Sequence, residues 1–165
     1  MTRIAAFTLI ASVLLTACGG SQAADQSDAR KAVAALTGDD KRAAANNPHC
    51  KMFTQAEVAK FIGEPVSAGR TAAMGSGCQW LATVGRGNVM VQIVPSNYHE
   101  RPSLADGFKE VAGIGARGFV VPESGGWGAG AIEGKDAIRV SVVGASASEA
   151  SALALLKEAI GRRAR

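Results

Sequence analysis

Histidine, aromatic rings and long apolar runs are all scarce in this chain, and each shortage removes a class of function. Only two histidines occur in 165 residues, His49 and His99, so acid–base chemistry at an imidazole has two candidate positions at most. No serine sits in a G-x-S-x-G elbow and no two cysteines form a C-x-x-C pair, so the marks of a hydrolase nucleophile and of a zinc-binding knuckle are missing. Aromatic residues make up 5% of the chain and the net charge is only +4. A nucleic-acid surface would cluster basic residues on one face and interleave them with rings. Here the excess gathers at the chain end, in Arg162, Arg163 and Arg165, where cations suit the negative end of a helix dipole; no nucleic-acid partner is expected. The longest apolar run, residues 4–17, is fourteen residues long, short of the roughly 18–20 that cross a bilayer as a helix.

What is present begins with that run. Met1-Thr2-Arg3 carries one positive charge, residues 4–17 carry none, and small residues lead into Cys18, the three-part layout of a secretory signal. Leu15-Thr16-Ala17-Cys18 resembles the lipobox of bacterial lipoproteins. The resemblance implies that residues 1–17 are removed and that Cys18, modified with a diacylglyceryl group, becomes the first mature residue. Two or more acyl chains hold a protein stably on a membrane, so the expected location is the cell envelope, facing the periplasm or exterior. Gly19 in place of an inner-membrane aspartate favours the outer membrane in a Gram-negative cell. With Cys18 lipidated, Cys50 and Cys78 remain. In an oxidising compartment they are most simply a disulfide, and the alternative is a metal site shared with His49 and His99.

Residues 18–47 are rich in alanine, serine, aspartate and asparagine and almost free of large apolar side chains. They read as a flexible tether, with a marginal alanine-rich helix at residues 27–36; a folded domain occupies residues 48–165. Thr54 and Glu57 have capping-box spacing, Phe53 and Val58 that of a hydrophobic staple, and Gly63 and Pro65 stop the helix. Residues 78–84 and 88–94 read as a hairpin around Gly85-Arg86-Gly87, with Cys78, Trp80, Ala82 and Val84 on one face. A polar loop at 95–107 follows, with a short helical turn near 104–111. Strands are then expected at 118–122, 127–132 and 137–143, and a last helix starts from a capping box at Ser146 and Glu149 with Leu153, Leu156 and Ile160 inward. The expected class is α+β: an antiparallel sheet of about five strands with a short N-terminal and a C-terminal helix on one face.

Cys50, the Thr54-Glu57-Val58 helix ending at Gly63, Cys78 two residues before Trp80, the Gly113-x-Gly115 turn and the alanine-rich segment 148–160 together resemble an actinobacterial-type lipoprotein family without assigned function. That resemblance implies lipid anchoring, a Cys50–Cys78 disulfide and an α+β domain; Ala116 and Arg117 depart from the acidic residue usual after its second glycine. Gly113 to Gly118 also spells G-x-G-x-x-G, but a proline-closed strand, not a helix, is expected to follow, so the plainer reading is a glycine turn and no cofactor is expected. Trp127 among four glycines is a candidate anchor for a partner or, more simply, a core residue. Tyr98, His99 and Arg101 cluster polar groups on one loop and are candidate binding residues. Met52, Met74 and Met90 read as gap fillers. The leading expectation is a non-catalytic module binding an envelope protein through its sheet face or the 95–107 loop. The alternatives are a carrier or sensor of a small apolar ligand held between sheet and helices, and an envelope hydrolase using His99.

Overall fold

A computed structural model describes residues 41–163. The signal segment, Cys18, the helix expected at 27–36 and Arg165 lie outside the described residues. The first helix, α1 (Lys41–Asn46), falls in the stretch whose composition reads as tether. Its Ala44 is buried, and Asn47 beyond it is only 6% exposed. The Asn47 carboxamide caps the 3-10 turn Pro48–Lys51 by accepting from the His49 amide at 2.9 Å. Within that turn Cys50 forms a disulfide with Cys78, Cα to Cα 5.0 Å.

Helix α2 (Gln55–Ile62) follows from its own sequence. Thr54 Oγ1 accepts from the Glu57 amide at 3.3 Å, and the Glu57 carboxylate accepts from the Thr54 amide at 2.8 Å. Gly63, at φ +73°, closes the helix in the left-handed conformation that lacks a side-chain penalty. Val58, Phe61 and Ile62 point inward.

The strands are β1 (Arg70–Ala72), β2 (Gly77–Leu81), β3 (Asn88–Pro95), β4 (Lys109–Glu110), β5 (Ala116–Glu123), β6 (Gly126–Glu133) and β7 (Asp136–Val143), and helix α3 (Glu149–Arg163) ends the described chain. All seven strands form one antiparallel sheet in the order β1-β2-β3-β7-β6-β5-β4. Two meanders, β1 to β3 and β4 to β7, therefore meet along the β3–β7 ladder. The five-strand expectation is corrected to seven. The strands it lacked, β1 and β4, are three and two residues long, too short to show alternation, and they exist because β2 and β5 supply their hydrogen-bond partners. Residues 104–111 form turns and β4, not a helical turn. Strand β2 also ends earlier than expected, so Val84 is 74% exposed and shares no face with Trp80.

Period-two alternation sorts the side chains. Cys78, Trp80, Val89, Val91, Val140, Val142, Ala129 and Val120 are on the face covered by α2 and α3, and all are at most 1% exposed. Helix α3 inserts Ala152, Leu155, Leu156 and Ala159, a stripe rotated from the expected one, with Leu153 and Ile160 at its border. Its start lies two residues later than expected: Ser148 and Ser151 exchange backbone-to-hydroxyl bonds at 2.9 and 3.1 Å, and Glu149 is free to pair with Lys109. Arg162 is no solvated end. Its guanidinium grips Glu57 at 2.8 and 3.2 Å, donates to the Met52 carbonyl and lies 4.1 Å from the Phe53 ring centre, tying the end of α3 to the start of α2.

Candidate functional site

Among the described residues, no α-helix lies on the opposite face of the sheet. Register places one row across it: Gly77, Gln92, Arg139, Gly130 and Phe119, each directly opposite the next. The glycines on β6 alternate with Trp127, Ala129 and Ala131, so Trp127 points to the helix side and Gly128 and Gly130 to this one. A side chain on Gly130 would put its Cβ 2.8 Å from the Phe119 ring; bare backbone makes room for that ring. Gly128 does the same for the Glu123 carboxylate, which accepts from Ser141 Oγ at 2.6 Å and from Arg139 Nη2 at 3.0 Å.

The loop after β3 folds over the Phe119 end of this face. Phe108 stacks on Phe119 with centroids 5.8 Å apart, and the His99 ring approaches it at 5.7 Å. His99 Nε2 lies 3.3 Å from the Arg117 carbonyl. Arg101 sits over Phe108 at 5.4 Å and pairs with Glu110, while its buried Nε has no hydrogen-bond partner among the described residues. Burial, the largest cause, holds the His99 pKa below 6.5; the Arg117 carbonyl, next in size, raises it, and the charges of Arg117, Arg101 and Arg139 each lower it by less.

Between this loop and the turn Ala73–Gly75 lies a cleft of about 400 Å³, within the size range of natural binding sites. Gln92, Val94, Ala137, Arg139 and Phe119 line it from the sheet, Met74 and Ser76 from one side, Tyr98, His99 and Glu100 from the other. Tyr98 is 67% exposed, and Met74 is wholly so. A wider depression of about 870 Å³ beside the disulfide, lined by Ala44, Phe53, Gly69 and Trp80, holds none of the candidate binding residues.

The structure thus brings Tyr98 and His99 into one cleft. Arg101 braces the loop behind them, and Trp127, half-buried against the core with Lys109 Nζ 5.9 Å from its ring, stands on the other face. Arg139, Gln92 and Phe119 have no sequence signature, because strand pairing alone makes them neighbours. Met74 lines the rim and fills no gap. The G-x-G-x-x-G segment is a turn leading into β5, with Gly113 and Gly115 at positive φ. Among the described residues no three His, Cys, Asp or Glu side chains are grouped to hold a metal ion, and no helix is long and apolar enough to cross a membrane. Compared with known proteins, the chain matches no family model and no curated protein.

Proposed function

We propose that this chain is a non-catalytic, lipid-anchored module of the cell envelope, held on a membrane through Cys18 and facing the periplasm or exterior, and that it binds an envelope protein through the helix-free face of its sheet. One observation carries the reading: the two faces are unlike. Between the sheet and α3 the helix-covered side is closed, and Val89, Val140, Val142, Leu155 and Leu156 there offer no surface that a water-sized sphere can touch, which leaves no room for a ligand between those two layers. The bare side offers a cleft between two rims with Met74 and Tyr98 exposed. The Nε2 atom of His99 is directed at a backbone carbonyl, which disfavours a hydrolase base.

Two experiments test this. A photo-crosslinking residue at Tyr98 should capture one discrete envelope protein in intact cells, while the same residue at Lys157, exposed on α3, should not; equal capture from both would refute the assignment. Cys18→Ser should shift the domain out of the stably anchored membrane pool, and unchanged retention would refute the anchor.

A further inference from the structure

None of the residues lining the depression beside the disulfide belongs to α3, so it lies outside the closed layer between that helix and the sheet, and its walls are fixed. Helix α1 forms one wall, with Ala45 exposed, and the 3-10 turn that carries Cys50 continues it. The Cys50–Cys78 bond fastens this wall to β2, and Asn47 adds a hydrogen bond to the Gly77 carbonyl at 2.9 Å. The other wall is the segment 65–70. The Gln55 carboxamide donates to the Val66 carbonyl at 2.9 Å, the Ser67 amide to the Leu81 carbonyl at 2.7 Å and the Thr83 amide to the Pro65 carbonyl at 2.9 Å. Walls tied down in this way form a site before any ligand arrives.

The chemistry between these walls is one-sided. Ala45 and Ala68 are exposed there, and Cys50 and Leu81 are half-buried, so much of the accessible wall is apolar. Lys51 and Arg70 also line it, and among the described residues no Asp or Glu does. Lys51 is exposed with no ion-pair partner among the described residues, while the Gln79 carboxamide holds Arg70 at 2.8 and 3.2 Å. Glu57, which bonds to Thr54 on the border, is occupied by Arg162. The floor supplies an independent observation. Trp80 is 1% exposed, yet its indole N–H meets no acceptor among the described residues, although a buried indole nitrogen ordinarily has one. A side chain on Gly69 would put its Cβ 2.7 Å from that nitrogen and from Cys78 Sγ. Gly69 lines the depression too, which places the nitrogen edge of the ring there.

We propose that this depression binds a small amphipathic carboxylate, at a site separate from the protein-binding face and independent of that reading. The carboxylate accepts from the Trp80 indole N–H and is drawn by the charges of Lys51 and Arg70, while the apolar body lies along Ala45, Ala68 and Leu81. A buried donor without an acceptor is unfavourable by about 1–3 kcal/mol; an anion supplies the acceptor and makes the stronger, charge-assisted form of the bond. A cationic amphiphile would meet two like charges and no lining acid.

The test uses the full chain, isotope-labelled for NMR, and reads the indole N–H signals of Trp80 and Trp127. Octanoate is the probe, with octanol and octylammonium as controls, all below micelle-forming concentrations. Octanoate should move the Trp80 indole proton downfield, leave that of Trp127 on β6 in place, and bind about tenfold tighter than octanol, the difference between a charge-assisted and a neutral hydrogen bond. Octylammonium should leave both signals in place. Lys51→Gln, an exposed change, should shrink the preference for octanoate over octanol. Ala68→Phe, also at an exposed position, should fill the depression and abolish the shift, with the dispersed spectrum reporting that the fold is kept. An unmoved Trp80 signal, an equal response to all three probes, or a shift that survives Ala68→Phe would overturn the proposal. Crosslinking from Tyr98 reads the other face of the sheet, so its result and this one stand or fall separately.

Discussion

Met74 has left-handed backbone and a side chain that touches nothing, so stability alone gives no reason for methionine there. Replacing it with glycine relieves about 1–2 kcal/mol of backbone strain and costs about 0.5–1 kcal/mol in unfolded-chain entropy. Met74→Gly should therefore leave the urea midpoint unchanged or raise stability by up to about 1.5 kcal/mol, while reducing crosslinking from Tyr98. A clear loss of stability would mean that the side chain packs against the fold. The histidines make a second residue-scale prediction. His99 and His49 both have pKa values below 6.5, each chiefly through burial. The folded state then binds fewer protons than the unfolded chain, so stability holds above pH about 6.5 and falls as the pH drops through it. Glu57, held at about 2 first by its hydrogen bond to Arg162, loses its contribution only in much stronger acid. Urea unfolding between pH about 7.5 and 5.5 should show the decline, and His99→Gln should flatten it; a rise in stability over that range would contradict the burial of both rings.

Among the elements, α2 was legible because everything that defines it is local: cap, box, staple and glycine stop lie within eleven residues. Strands β1 and β4 were not, since neither has a pattern of its own. Residues 41–47 show a subtler failure. Their composition is that of a tether, yet Asn47 is buried because carbonyls of a turn nearly thirty residues away accept its hydrogens, a long-range fact that no window of sequence displays. The α2–α3 junction is similar. Arg162 lies in a run of basic residues that looks solvated, but it bridges Met52, Phe53 and Glu57. Both charges of that bridge keep roughly a third of their surface in water, which screens the pair; the ring contact and the carbonyl bond contribute beyond it. Arg162→Ala should cost about 1–2 kcal/mol in urea unfolding, and Arg162→Lys, which keeps charge but loses the planar fork, should recover little of it. Full recovery by lysine would show that charge alone matters.

At the scale of the molecule, seven strands present two unlike surfaces, one packed under α2 and α3 and one that, among the described residues, has no α-helix and is roofed in part by the loop after β3, with the N-terminal segment fastened to β2 by Cys50–Cys78 across 28 residues. In the chain-entropy treatment such a crosslink stabilises by about 3.5 kcal/mol. Tyr98 and His99 were recognisable as a polar loop cluster, but the cleft they line was not. Its floor joins Gln92, Arg139 and Phe119 through register between β3, β7, β6 and β5, and its rim is a strained turn that residue preferences argue against. The central claim is that the bare face is covered in the cell. Oxidative footprinting compares it directly, with Met74 and Tyr98 on that face and Val84, 74% exposed at the distant hairpin turn, as internal reference. Met74 and Tyr98 should be oxidised several-fold more slowly in intact cells than in the purified protein, with Val84 unchanged. Equal rates at all three positions in both settings would contradict the account.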